Sequence, residues 1–288
     1  MAENKICITT DCVCDLPDEI LRKNNVDLIY FYIVTDSGRF KDIDEITAQN
    51  VFDYLSSGGS KTITEAPPTD EFVSFFTEKL ERYDCIIHIA ISSKISKSVS
   101  NAEEAVKKMG DDGKRIHIID SEHLSTGIGH MVLRAAEMVK GGSNAESIIA
   151  EIKDMRSRVS TSFMADNTDF LYLNGQVGKT VHKVCTMFKI HPVLAMNDGY
   201  LKLKACHFGN YRRSAARYIR AELKSVNRIK NNRLFITHAG CSTSDIKMVK
   251  KYVGSLMQFD EIVVTKASAT ISSNSGPRTF GLLYIKEK

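Results

Sequence analysis

Hydroxyl side chains recur in this chain where apolar segments end. Thr9-Thr10-Asp11, Thr62 and Thr64, Ser92-Ser93, Ser121 and Ser272-Ser273 each follow such a segment. If the segments are parallel strands, their ends converge on one edge of the sheet. That edge would carry neutral donors and few cations. Such a setting suits an anion held by hydroxyls and backbone N–H groups, with a helix N-terminus adding its dipole. The same pattern arises where Ser and Thr simply cap the helices that follow strands, and residue spacing leaves both readings open. Familiar catalytic spacings are missing. There is no G-x-S-x-G, no G-x-x-x-x-G-K-[ST], no G-x-G-x-x-G and no H-E-x-x-H. Gly127-Ile128-Gly129 lacks the third Gly and does not open directly after a strand.

Metal chemistry has little support. The seven cysteines are Cys7, Cys12, Cys14, Cys85, Cys185, Cys206 and Cys241. Only Cys12 and Cys14 are close, and no second pair or suitable His spacing completes a zinc set. An odd number of scattered cysteines reads as reduced thiols. His88 sits mid-strand in an apolar run and reads as a hydrogen-bonded core residue. His238 ends a strand before Ala239-Gly240, where a loop hydrogen bond or a site role are both open.

The elements that must position these residues follow from periodicity and punctuation. Residues 6–10 form a strand, and Asp15-Leu16-Pro17 opens a helix with Asp as its cap. Residues 28–35 form a strand, 48–55 a helix, and Thr69 caps a helix to about residue 80. Residues 85–91, CIIHIAI, are a buried strand. A Ser-rich segment leads to a helix at 102–108, then a strand at 115–119 and helices at 129–140 and up to 158. Strands alternating with helices of this length imply βαβ units and a parallel, Rossmann-like sheet. Beyond Arg158 the pattern changes. A strand at 161–166 and helical stretches to 188 precede two strands flanking Asn197-Asp198-Gly199, a strong hairpin signal. A basic helix covers 210–227. Strands at 233–238, 261–271 and 279–285 surround a helix at 245–253 and the turn Ser275-Gly276-Pro277. The expectation is an α/β protein of two domains, a parallel N-terminal domain at 1–158 and a mixed-sheet C-terminal domain at 159–288.

Composition agrees with a globular chain of this size. The 288 residues are 43% hydrophobic and 26% charged, with 5 Pro and 17 Gly, which excludes collagen, coiled-coil and disordered classes. Thirty-nine basic and 35 acidic residues leave a net charge of +4, so global charge does not point to nucleic acid. No apolar run approaches the roughly 20 residues of a membrane helix, and the N-terminus shows no signal-peptide pattern. A cytoplasmic location is expected.

Several segments, in order along nearly the whole chain, resemble the DegV family of two-domain fatty-acid-binding proteins. Thr10-Asp11-Cys12 with Asp15-Leu16-Pro17 is similar to the family's opening T-D-S…D-L-P. Thr64-Glu65-Ala66-Pro67 is similar to its T-S-Q-P loop, and Ser92-Ser93-Lys94-Ile95-Ser96 to its S-S-x-L-S turn. Ile119-Asp120-Ser121 with Ser125, Gly127 and Gly129 resembles I-D-S…S-x-G-x-G. Asn197-Asp198-Gly199 stands where the family has its hairpin, and Ser275-Gly276-Pro277 resembles its tail motif. The resemblance implies one long-chain fatty acid held non-covalently in a tunnel between the domains. Its carboxylate would be presented to a separate fatty acid kinase for acyl-phosphate formation and phospholipid synthesis, the carrier needing no cofactor and no metal. Burying about 14 methylenes at roughly 0.8 kcal/mol each supplies about 11 kcal/mol before ordering costs. The desolvated carboxylate needs hydrogen bonds, and the resemblance assigns them to Thr64 and Ser93, with Ser92, Ser96, Lys97 and Asn274 around them.

The chain departs from the family pattern at four places. Ser96-Lys97-Ser98 replaces S-G-T, so Lys97 either pairs with the head group or points to solvent. Asn274 replaces the tail His and cannot titrate. Asn174-Gly175-Gln176-Val177 replaces G-G-R-I. His191-Pro192 replaces K-P, and the Arg after the hairpin has no clear match at 207–210. In compensation, Arg213, Arg217, Arg220, Lys224 and Arg228 share one helix face, opposite Ala215, Ile219, Leu223 and Val226, with Glu222 the one acidic relief. That face is a solvated surface or a docking patch, led by Arg213, Arg217 and Arg220, for an acidic partner or an anionic membrane. Met164, Met187 and Met196 are tunnel candidates with core packing as the simpler role. Two other classes stay open: a hydrolase or transferase using Ser93 or Ser96 with His238 as base, and a carrier of another amphiphile.

Overall fold

The computed structural model describes residues 5–175, 177–224 and 229–287. The first part runs β1 (Ile6–Asp11), α1 (Asp18–Lys23), β2 (Val26–Ile29), β3 (Tyr32–Thr35), β4 (Gly38–Lys41), α2 (Ala48–Ser56), β5 (Ile63–Glu65), α3 (Thr69–Leu80), β6 (Cys85–Ala90), α4 (Ser98–Lys108), β7 (Ile116–Asp120), α5 (Thr126–Lys140) and α6 (Ala145–Met155). The second runs β8 (Val159–Met164), α7 (Asp169–Leu173), α8 (Lys179–Met187), β9 (Ile190–Asn197), β10 (Tyr200–Phe208), α9 (Tyr211–Lys224), β11 (Arg233–Ala239), α10 (Thr243–Gly254), β12 (Glu261–Lys266), α11 (Ala269–Ser275) and β13 (Thr279–Ile285).

Among the described residues the strands form three sheets. β2-β1-β6-β7 is wholly parallel, as the alternating pattern implies. Its strands are buried on both faces with period two. Cys7 and Ile86 pack against Phe72, Phe76, Ala102 and Ala105 of α3 and α4. Ile6, Ile8, Ile87 and Ile89 pack toward α5 and α6. The mixed sheet, β10-β9-β8-β13-β11-β12, occupies the second part, and only β11 and β12 in it run parallel. One face carries α9 and α10 around Tyr218, Ile219, Leu234 and Val249. The other shares a core with α5, and His130 on α5 meets the Leu283 carbonyl of β13 at 3.0 Å. β4-β3-β5 is a small antiparallel sheet beside these two.

Several boundaries differ from the sequence reading. Residues 28–35 are two strands in different sheets. Between them Phe31 donates its amide to Cys12 Sγ (3.2 Å) and accepts from the Asp42 amide (2.9 Å), so the chain pivots there. Asp15 does not open α1, which begins after Pro17; it closes a short 3-10 turn at Cys12–Cys14 and is buried in the left-handed region at φ 54. Pro68, not Thr69, precedes α3. α4 starts at Ser98 because its hydroxyl donates to Asp11 Oδ1 at 2.7 Å. α5 includes Gly127 and Gly129. A Cβ on Gly127 would lie 2.2 Å from Thr161 Oγ1, so this helix approaches β8 as closely as only glycine permits. The strand expected at 261–271 ends at Lys266. Ser268 then caps α11, and the Asp42 carboxylate accepts the amides of Ala269 (2.7 Å) and Thr270 (2.8 Å). The hairpin is as read: Asp198 and Gly199 take φ 51 and 79, the double positive φ of a two-residue turn. The helix read at 210–227 is described to Lys224, and Val226, Arg228 and Gln176 lie outside the described residues.

Candidate functional site

A cavity of about 1210 Å³ opens where the C-terminal edge of the parallel sheet faces the mixed sheet. Its polar wall comes from strand ends and the turns after them. β5 supplies Thr64 and Glu65, the turn after β6 supplies Ser93, Ser96 and Lys97, and the loop before α5 supplies Leu124 and Ser125. Across the cavity α11 adds Thr270, Asn274 and Ser275. The apolar wall is Leu171 of α7, Val181 and Cys185 of α8, Leu194 of β9, and Leu201, Leu203 and Cys206 of β10. A bulge between Leu203 and Ala205 explains the last spacing: the extra residue turns Cys206 inward where alternation alone would present Ala205.

The polar wall is fixed from behind by buried carboxylates. Asp11 accepts the Ile91 amide (2.8 Å) and the Ser98 hydroxyl (2.7 Å), holding both ends of the Ser-rich turn. His88 stands beside it, its Nδ1 3.0 Å from Thr9 Oγ1 and its Nε2 3.6 Å from Asp11 Oδ1 without a hydrogen bond. It is a core residue with one nitrogen satisfied. Asp15 joins the two parts of the chain, accepting from Ser125 Oγ (2.5 Å) and from the Ser268 amide (2.8 Å). Burial pushes its pKa up to about 7, against the lowering effect of those two hydrogen bonds. Burial raises Asp42 as well. Ser125 sits at φ 55 and ψ −147, a sparsely populated backbone region, with its hydroxyl tied to Asp15.

The structure brings Thr64, Ser93, Ser96, Lys97 and Asn274 onto one cavity. Thr64 is half-buried; Ser93 and Lys97 are exposed to the cavity space. Ser96 Oγ accepts the Ser98 amide at 3.2 Å. Asn274 uses Nδ2 on the Thr270 carbonyl of its own helix (2.9 Å), so one of its donors is committed. Ser92 is fully buried and off the wall. Its hydroxyl donates to the Gly199 carbonyl at 2.7 Å and anchors the hairpin tip over the turn after β6. Arg213, Arg217 and Arg220 also lie off the cavity, on the exposed face of α9. Arg217 donates to the Phe208 carbonyl at 3.0 Å. Glu222 gives that face no relief, because it is buried behind the helix against Lys204 Nζ (2.6 Å) and the Tyr284 hydroxyl. Met164 is core, Met187 is exposed and Met196 packs on the first core, none of them on the cavity wall.

Residue spacing missed part of the wall. Arg39 of β4 lines it, stacked over Tyr32 and paired with Glu65 (3.1 Å) and Glu71 (3.6 Å). Ser275 is 7% exposed and its hydroxyl has no hydrogen-bond partner within the protein. A buried hydroxyl in that state is costly without a ligand or water. Ser275 was read as the first residue of the turn Ser275-Gly276-Pro277, so nothing local distinguished it. His238 lines the cavity, but its Nδ1 lies 3.3 Å from the Cys241 amide that donates to it. Burial, with Lys266 adding, lowers its pKa. Among the described residues no group of three His, Cys, Asp or Glu side chains is arranged to hold a metal ion, and no helix is long and apolar enough to cross a membrane.

Known proteins share this architecture. A DegV domain-containing protein of Caldanaerobacter subterraneus is 26% identical over 281 residues, 97% of this chain and 98% of its own. A DegV family protein from Thermus thermophilus, described by its fatty acid binding, superposes with a TM-score of 0.85 at 26% identity, over 98% of this chain and all of its own. The fatty acid kinase B3 protein of Streptococcus pneumoniae, solved loaded with linoleic acid, gives a TM-score of 0.83 over 98% of this chain and 100% of its own. At 17% identity that likeness speaks for the fold alone. The family model described as "Uncharacterised protein, DegV family" matches residues 5–287, and with nearly every described residue inside that match the chain belongs to the DegV family.

Proposed function

We propose that this protein carries one long-chain fatty acid, bound non-covalently in the cavity between the parallel and the mixed sheet. The observation that carries this reading is the cavity itself, one continuous space with a hydroxyl-rich wall and a wall of Leu, Val and Cys side chains. Its volume of about 1210 Å³ exceeds the roughly 300–1000 Å³ of ordinary small-ligand pockets. A long amphiphile suits such a space. Thr64 and Ser93 are the head-group donors in this reading, with Ser96, Lys97 and Asn274 beside them. The Thermus thermophilus relative, described by its fatty acid binding, adds support.

In the same reading the carrier is not a catalyst and hands its carboxylate to a separate fatty acid kinase. The exposed arginines of α9 offer that partner, or an anionic membrane, an uncompensated basic face. The boundary between the carrying units falls near Arg158, where β8 begins the mixed sheet. All seven cysteines are free thiols, in keeping with a cytoplasmic protein. A serine hydrolase would need a base on Ser93 or Ser96. Ser96 Oγ instead accepts an amide proton, and His238 accepts one from Cys241.

The test is to purify the protein from cells and identify its bound molecule by native and denaturing mass spectrometry. A stoichiometric long-chain fatty acid is expected. A folded protein that neither copurifies with nor takes up such an acid would refute the reading, and a neutral amphiphile in the cavity would replace it.

A further inference from the structure

Charge on the cavity wall does not balance. Arg39 is answered there by Glu65 and, just outside, by Glu71. Burial lowers the pKa of His238 and favours its neutral form. Lys97 remains: it lines the cavity, is exposed, and among the described residues has neither an ion pair nor a side-chain hydrogen bond. Its place in the backbone sharpens the imbalance. Lys97 directly precedes the 11-residue helix α4, and the first turn of α4 holds no acidic residue. The N-terminal end of a helix carries partial positive charge and is stabilised by anions, not cations. A lysine there adds like charge to like, beside the Ser93 and Ser96 hydroxyls; the buried Asp11 carboxylate at the start of α4 is taken up by the Ser98 hydroxyl and the Ile91 amide and forms no ion pair with Lys97.

We infer that Lys97 is the specificity-determining residue of this cavity: it pairs with an ionised head group and so selects acids over neutral amphiphiles of the same chain length. The inference rests on the lipid-carrier reading above. The ligand's anion would complete two groups at once, the Lys97 ammonium and the wall hydroxyls. The hydrocarbon chain contributes equally whether the head is an acid or an alcohol, because the apolar wall does not sense it. Discrimination therefore falls to Lys97. The hydroxyls accept as well as donate and serve either head group.

The experiment compares hexadecanoic acid with hexadecan-1-ol by displacement of a fluorescent acyl probe from wild type, Lys97→Met and Lys97→Arg. Met keeps the length of the side chain and removes its charge. The wild type should prefer the acid, and Lys97→Met should lose about tenfold in affinity for the acid alone, the order expected of one charge-assisted hydrogen bond. Lys97→Arg should retain the preference. Raising the salt concentration should erode it in wild type and leave Lys97→Met unaffected. An unchanged ratio of acid to alcohol in Lys97→Met would overturn the inference, as would equal losses for both ligands, which indicate a structural role. Wild type that binds neither ligand would overturn the carrier reading together with this one. Wild type that binds the acid while Lys97→Met keeps the same ratio would overturn only the role of Lys97.

Discussion

Replacing Asp15 by Asn should stabilise this protein at about pH 8 and change it little at about pH 4. The carboxylate is 6% exposed and holds two donors, the Ser125 hydroxyl and the Ser268 amide. Burial raises its pKa from 3.8 to about 7, and the neighbouring Asp42 adds to the rise. The native protein thus binds this proton more tightly than the unfolded chain does. The stability tied to that proton is fully present below the unfolded value and is lost as pH climbs through the native one. A shift of about three units at roughly 1.4 kcal/mol each sets an upper bound of about 4 kcal/mol at alkaline pH. Asn can keep both partners: its Oδ1 accepts the Ser268 amide and its Nδ2 donates to Ser125 Oγ, whose own hydrogen turns elsewhere. We therefore expect Asp15→Asn to gain about 2–4 kcal/mol at alkaline pH and nothing at acid pH. Urea unfolding of both proteins at matched pH values measures the difference directly. A variant destabilised by the same amount at every pH would refute the reasoning, because it would mean that the hydrogen bonds outweigh the cost of burying the charge.

Other substitutions probe the cavity and its scaffold. Gly127→Ala places a methyl against Thr161 Oγ1 and should cost about 1–3 kcal/mol, read as a lower urea midpoint; an unchanged midpoint would show that α5 can move off β8. Ser93→Ala and Thr64→Val should each weaken hexadecanoic acid binding by about five- to tenfold, the order of one hydrogen bond, with melting temperature unchanged. Full affinity in both variants would remove them from the head-group site. Arg213→Glu with Arg217→Glu should leave stability within about 0.5 kcal/mol, since both are exposed, and should abolish binding to a purified fatty acid kinase. Intact binding would take the docking role away from α9.

The chain's own pattern was enough wherever a local rule dominates. The run CIIHIA can only be a strand buried on both faces, and β6 is central in the parallel sheet. Asp198-Gly199 demands two positive φ values, and the hairpin follows. α9 has its apolar side on the core and its arginines outside, as its periodicity requires. The site was legible to the extent that hydroxyls at strand ends had to meet on one edge. That logic put Thr64 and Ser93 on the cavity wall, but Thr9, Thr10, Thr62, Ser92, Ser121, Ser272 and Ser273 are buried off it, and Ser96 was assigned by the family resemblance alone.

Tertiary structure decided what depends on partners remote in sequence. Asp15 looked like a helix cap, yet it binds an amide 253 residues away. The start of α11, residues 269–271, looked like the end of a strand, yet Asp42, 228 residues from Thr270, accepts its first amides. Ser92 reads like its neighbour Ser93 until the hairpin tip, 107 residues on, takes up its hydroxyl. A propensity or a turn rule is written into a few consecutive residues, so composition and spacing determined most element types and the class of sheet, while the family came from the resemblance of its motifs. Whether a buried polar group faces a partner or a cavity depends on which distant backbone group packs against it, and only the folded chain settles that choice.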